Sequence, residues 1–216
     1  MKGDIIIIEA HHRKAAQKIV SIILNDIKNS TKKYSITVAG ESGSGKSETA
    51  HAIAEELKKN KLNSIVLGQD DYFHFAPKSN HQKRIANPEW LGPHVEVNME
   101  LFQDNINYAL KGKKRINKPL IDYDKNEINI EKVNLENIQV IIAEGTYTSL
   151  LKNINTKVFI SRNRLDTLEH RRARNRGNEV NDPYIEQILK TEHKIIAGHA
   201  YLADFIITKD YEVIEA

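Results

Sequence analysis

The chain of 216 residues contains no cysteine. That excludes disulfide scaffolds, thiolate metal sites and thiol nucleophiles. It also lacks an excess of one charge: 32 Lys and Arg face 29 Asp and Glu, a formal net charge of +3. Composition alone therefore does not single out nucleic acid as a partner. No apolar run approaches the roughly 20 residues of a membrane span, so no membrane partner is expected. The start, Met1-Lys2-Gly3-Asp4 before four isoleucines, is acidic too early and too short for a signal peptide. These features point to a soluble cytoplasmic protein. Repeats and low-complexity segments are absent. What remains, 40% apolar and 28% charged residues, fits one globular domain over 1–216 with a single sizeable core.

Proline and tryptophan are scarce and unevenly placed. Three of five prolines and the single Trp fall within 70–97, a stretch without long periodicity that reads as an ordered functional excursion. Elsewhere short β-branched runs alternate with helical periods. Residues 1–34 read as a strand at Ile5–Glu9 and a helix from Ala10. Strands are expected at Ser35–Ala39, Ser64–Gly68, Gln139–Ala143, Lys157–Ser161 and Asp204–Thr208. Helices are expected at Lys46–Lys59, Asn98–Lys111 and from Pro183, capped by Asp182. Tyr211–Ile214 is expected to pair with the N-terminal strand. The alternation implies an α/β fold around a mainly parallel sheet covered on both faces.

Gly40-Glu41-Ser42-Gly43-Ser44-Gly45-Lys46-Ser47 satisfies G-x-x-x-x-G-K-[ST] between a strand and an amphipathic helix. Glycines let the backbone curl so that its N–H groups point at phosphate oxygens. The helix dipole favours anions at the same place. Lys46 would reach the β- and γ-phosphates, and the Ser47 hydroxyl would hold Mg²⁺. Gly40, Ser42, Gly43, Ser44, Gly45, Lys46, Ser47 and Glu48 are thus candidates for the nucleotide. Two strands deliver carboxylates to the edge where such sheets bind ligands, Asp70 after Ser64–Gly68 and Glu144 after Gln139–Ala143. Asp70 is the candidate base for an attacking hydroxyl, and Glu144 joins Ser47 at the metal.

Six of the nine arginines lie between residues 162 and 176. Arg171, Arg172, Arg174 and Arg176 suit phosphate as bidentate forks. A solvated face or an RNA patch are the competing readings of the run. The absence of aromatic platforms among these arginines disfavours nucleic acid.

Taken in order, the phosphate loop, Gln69-Asp70-Asp71-Tyr72-Phe73, Pro119-Leu120-Ile121-Asp122-Tyr123, Ala143-Glu144-Gly145, Arg171-Arg172, Arg176-Gly177 and Ala203-Asp204-Phe205-Ile206-Ile207 resemble the uridine kinase and phosphoribulokinase family of P-loop kinases. The resemblance runs from about Ser35 to Lys209. It implies a three-layer P-loop NTPase fold with a doubly wound sheet and an arginine-bearing lid over 162–181. It also implies ATP and Mg²⁺ as cofactors and phosphorylation of a small-molecule hydroxyl. On it, Asp70 and Lys46 with Arg172 and Arg176 are catalytic, and Arg171 and Arg174 bind ATP. Tyr72, Arg84 and Asp122 are the acceptor-side candidates. Ile121 and Asn126 stand where the family's acceptor segment carries Tyr and His. A nucleotide-binding regulatory protein without uridine kinase activity is therefore the alternative function. Apolar helix faces are compatible with a core or with a homo-oligomer interface.

Overall fold

Seven consecutive residues, Tyr34–Gly40, are buried and form strand β1. A strand buried on both faces belongs in the middle of a covered sheet. The computed structural model, which describes residues 1–3, 5–168 and 183–216, places it there. Its neighbours are β2 (Ser64–Gly68), β5 (Val140–Glu144), β6 (Thr156–Ile160), β7 (Phe205–Ile207) and β8 (Val213–Glu215), in the order β2-β5-β1-β6-β7-β8. All pairings are parallel except β7 with β8. A separate antiparallel hairpin joins β3 (Arg115–Asp122) to β4 (Glu127–Asn134).

Side chains alternate across a strand, and β5 shows what this does. Val140 and Ile142 enter one core with β1 and the helices α1 (Ala10–Asn29) and α2 (Lys46–Lys59). Ile141 and Ala143 enter the other, with α4 (Met99–Leu110), the hairpin and Ile196 at the end of α5 (Pro183–Ile196). Two apolar layers on opposite faces make the three-layer α/β/α architecture. Among the described residues no helix is long and apolar enough to cross a membrane.

Two expectations change. Residues 5–9 form no strand; Ile5 and Ile7 are exposed. The segment Val213–Glu215 pairs instead with β7, because the tight turn at Thr208–Tyr211 returns the chain directly beside it. The excursion 70–97 also contains a helix, α3 (Pro77–Ala86), with proline in its first turn. The Asp182 cap, and Arg171, Arg172, Arg174 and Arg176 of the expected lid, lie outside the described residues.

The hairpin is fastened to the sheet by Asp71. Its carboxylate accepts Lys118 Nζ at 2.6 Å and the Ile121 N–H at 3.0 Å, and both Asp71 and Lys118 are buried. Removing one partner of a buried pair strands the other charge. Asp71→Ala should lose about 3 kcal/mol of stability in urea unfolding. A loss below about 1 kcal/mol would mean that Glu131, the second partner of Lys118, carries the fastening alone.

Candidate active site

The phosphate loop leaves β1 at Gly40 and enters α2 at Lys46, with Gly43 and Gly45 at φ +79° and +94°. Gly45 is required twice over. Its φ is left-handed, and a Cβ there would meet Tyr211 Oη at 2.5 Å and His12 Nε2 at 2.9 Å. Lys46 Nζ donates to the Glu41 carbonyl at 2.8 Å, which folds the lysine over its own loop.

Behind the loop, Tyr211 Oη donates to the Ser44 carbonyl at 3.1 Å and accepts from Arg162 at 2.9 Å. It also lies 3.2 Å from His12 Nε2. The Glu9 N–H donates to His12 Nδ1 at 3.1 Å, so Nε2 carries the proton and donates to Tyr211. His12, which lies close to Glu9 and His11, thus has both ring nitrogens engaged, Nδ1 by the Glu9 backbone and Nε2 by Tyr211. Sequence reasoning missed this support. Its members come from the two ends of the chain and share no motif.

Across the loop stands Glu144, at the end of β5. Ser47 Oγ donates to Glu144 Oε2 at 3.2 Å. Gly68, at the end of β2, keeps room for this carboxylate: a Cβ there would lie 2.9 Å from Oε1. Gly145 is constrained likewise, since a Cβ would come within 2.2 Å of Gln69 Cβ. Burial and then the nearby charge of Asp70 push the Glu144 carboxyl up to about 7, against the opposing pull of Lys46 and the Ser47 hydrogen bond. Lys46, Ser47, Asp70 and Glu144 thus share one electrostatic neighbourhood. A serine hydroxyl and a carboxylate facing one point are hard oxygen donors, the set that suits Mg²⁺.

The remaining candidates separate. The Ser42 N–H and hydroxyl are both spent on Glu192. Glu48 is buried, and its charge acts on Tyr211, which lies behind the loop. Tyr72 is a correction. It is fully buried, stacked on Phe102 with centroids 4.2 Å apart, and its hydroxyl accepts from Asn105. The short turn Gln69–Tyr72 rotates it away from Asp70 and into the core. Asp122 is another correction. It pairs with Lys2 at 3.0 Å and caps the hairpin turn by accepting the Lys125 N–H at 3.2 Å. Arg84 is the third. Its Nε donates to Glu96 at 2.7 Å, and Glu96 is fully buried. Glu96 also accepts from Asn80, from the Gly92 N–H and from the Tyr147 hydroxyl. The Trp90 indole completes the cluster by donating to Asn80 at 2.8 Å. The Arg84 charge is thereby neutralised and holds the excursion in shape.

A glycine-rich loop at a helix start, a strand-end carboxylate bonded to the loop's serine and a second carboxylate on the adjacent strand define a P-loop nucleotide-binding α/β protein. A Zeta toxin family model matches residues 21–116. The uridine kinase of Haemophilus ducreyi is 30% identical over 192 residues, 81% of this chain and 84% of that one. The bifunctional alpha-galactosidase/sucrose kinase AgaSK of Mediterraneibacter gnavus is 27% identical over 198 residues, 87% of this chain but only 21% of that protein. The uridine kinase of Ureaplasma parvum is 32% identical over 131 residues, 58% of this chain and 60% of that one, so the chain spans less than two thirds of several of the relatives it matches. The structure of a possible uridine kinase from Bacillus stearothermophilus superposes with a TM-score of 0.67 at 15% identity, over 90% of this chain and 97% of that one, which bears on the fold. The chain belongs to the uridine kinase-like family of P-loop kinases.

The raised carboxyl has a stability consequence. An unfolded Glu titrates near 4.5, so the metal-free folded state holds the extra proton from there to about pH 7. Stability attributable to Glu144 falls as pH rises through that window. Without Mg²⁺, Glu144→Gln should melt above the parent at pH 8, with the gap closing toward pH 5. A gap independent of pH would contradict the titration.

Proposed function

We propose that this chain transfers the terminal phosphoryl group of ATP to a hydroxyl of a small metabolite. The observation that carries the reading is the gathering of Lys46, Ser47, Asp70 and Glu144 at one edge of the sheet. The family's kinase-named members support it. Sucrose and uridine in those names leave both sugars and nucleosides as acceptor classes to be tried.

The residues divide the work as follows. The N–H groups of the loop after Ser42, with Lys46, bind and orient the phosphates. Ser47 and Glu144 would hold Mg²⁺, which when bound neutralises charge on the transferring group. Asp70 accepts the proton as the acceptor oxygen forms its bond to phosphorus and the bond to the ADP oxygen breaks. Two carboxylates side by side with separated tasks fit the electrostatics. The Asp70 charge raises the cost of ionising Glu144, and a bound Mg²⁺ would relieve it.

Asp70→Asn should lower kcat about 10²–10⁴-fold with nucleotide affinity kept. Acceptor-stimulated ADP formation across sugars and nucleosides, with a parallel nucleotide titration, checks this. Turnover at the parent rate would remove Asp70 from the reaction. Nucleotide binding by the parent with no acceptor-stimulated ADP would favour a regulatory protein instead.

A further inference from the structure

The phosphate loop is held from a direction that its own sequence does not reveal. Glu192, in the second half of α5, is buried, and both its oxygens face Ser42. One accepts the Ser42 N–H at 2.7 Å and the other its hydroxyl at 2.8 Å. The Ser42 carbonyl is reached by the Thr167 hydroxyl at 3.5 Å. The preceding loop residue is held as well. Glu41 Oε1 lies 2.5 Å from His193 Nδ1, and Oε2 accepts the Arg164 N–H at 2.7 Å. The first two variable residues of the loop are therefore pinned, one after the other, by two consecutive residues of α5.

The same helix reaches the acceptor side. Gln187, Ile188 and Thr191 line a cleft of about 420 Å³, open mouth included, together with Arg84 and Leu91. Glu192 follows Thr191 directly. Its charge also bears on Tyr147, whose phenol is pushed up by burial and next by Glu192. The Tyr147 hydroxyl in turn meets Glu96, the partner of Arg84. Helix α5 thus has contacts with both sides of the site.

We propose that Glu192 is a positioning residue for phosphoryl transfer: its carboxylate clasps Ser42 and presets the phosphate loop for nucleotide, on the helix that also lines the acceptor-side cleft. The inference rests on the kinase reading above. A competing effect has the opposite sign, because a bare carboxylate near a polyphosphate site repels it. Here both oxygens are already engaged by loop donors, so the clasp outweighs the repulsion. Preorganising a loop raises affinity by reducing the ordering cost of binding.

The test is calorimetric titration with a non-hydrolysable ATP analogue and Mg²⁺, beside steady-state kinetics. Glu192→Ala should weaken nucleotide binding about tenfold and raise KM for ATP more than it lowers kcat. Glu192→Gln, which keeps one acceptor oxygen, should recover part of the loss. Ser42→Ala, which removes the hydroxyl, should weaken binding less. Joined to Glu192→Ala it should add nothing further. Unchanged affinity in folded Glu192→Ala would overturn the proposal, as would strictly additive losses. Tighter binding in both Glu192 variants would overturn it too, by showing repulsion in control. Should Glu192→Ala fail to fold, an unchanged affinity in Ser42→Ala and Glu192→Gln is the overturning result. The titration needs no turnover. A parent that binds nucleotide but phosphorylates nothing defeats the kinase reading alone, whereas variants that bind like an active parent defeat the clasp alone.

Discussion

The parallel register around β5 is the constraint on which the site depends. Glu144 pairs in register with Val38 of β1 and with Gly68 of β2. Strands β2 and β5 therefore end at one level, β1 runs two residues further to Gly40, and each continues toward the same edge of the sheet: the phosphate loop after β1, Asp70 after β2 and Gly145 after β5. A slip of one residue would turn Glu144 to the opposite face of the sheet. It would also remove the glycine that leaves room for its carboxylate. The apolar layers on both faces hold this register, because the same slip would exchange Ile141 and Ile142 between the two cores.

The carboxylates at this edge of the sheet differ in how their charge is met. Asp71 is matched by Lys118, and Glu96 by Arg84. Each is surrounded by further donors, and each fastens a segment outside the main sheet, the hairpin in one case and the excursion in the other. Glu144 differs. Its hydrogen-bond partner is a neutral hydroxyl, and its neighbour Asp70 repels it. Two acids are thus matched by a hydrogen-bonded cation, while Glu144 has only a hydroxyl and the more distant charge of Lys46 beside it. This difference is what supports the metal role proposed for Glu144.

Much of this was legible in the sequence. The phosphate loop, the strands and the carboxylates that end them are local patterns, because glycine spacing and unbroken apolar runs do not depend on distant contacts. Tyr72, Arg84 and Asp122 have structural partners that the sequence hid for a shared reason. Each occupies a segment that resembles an acceptor site, but its role is decided by a partner far away in the chain or by the rotation of a short turn. Phe102 takes Tyr72, Glu96 takes Arg84 and Lys2 takes Asp122. The support of the loop by His12, Tyr211 and Glu192 was invisible for the same cause. The local arginine excess that stood out in a nearly neutral chain is only partly accounted for. Arg162 braces Tyr211, and Arg164 closes on Glu41 and Glu186.

The central claim is that these residues move a phosphoryl group onto an acceptor and not onto water. The most direct measurement uses ATP carrying ¹⁸O on the terminal phosphoryl group, a metabolite mixture and mass spectrometry of the products. The account predicts an organic product bearing the labelled phosphoryl group on oxygen, with ADP formed in equal amount. Labelled inorganic phosphate alone, or no ADP from a protein that binds the nucleotide, would contradict it.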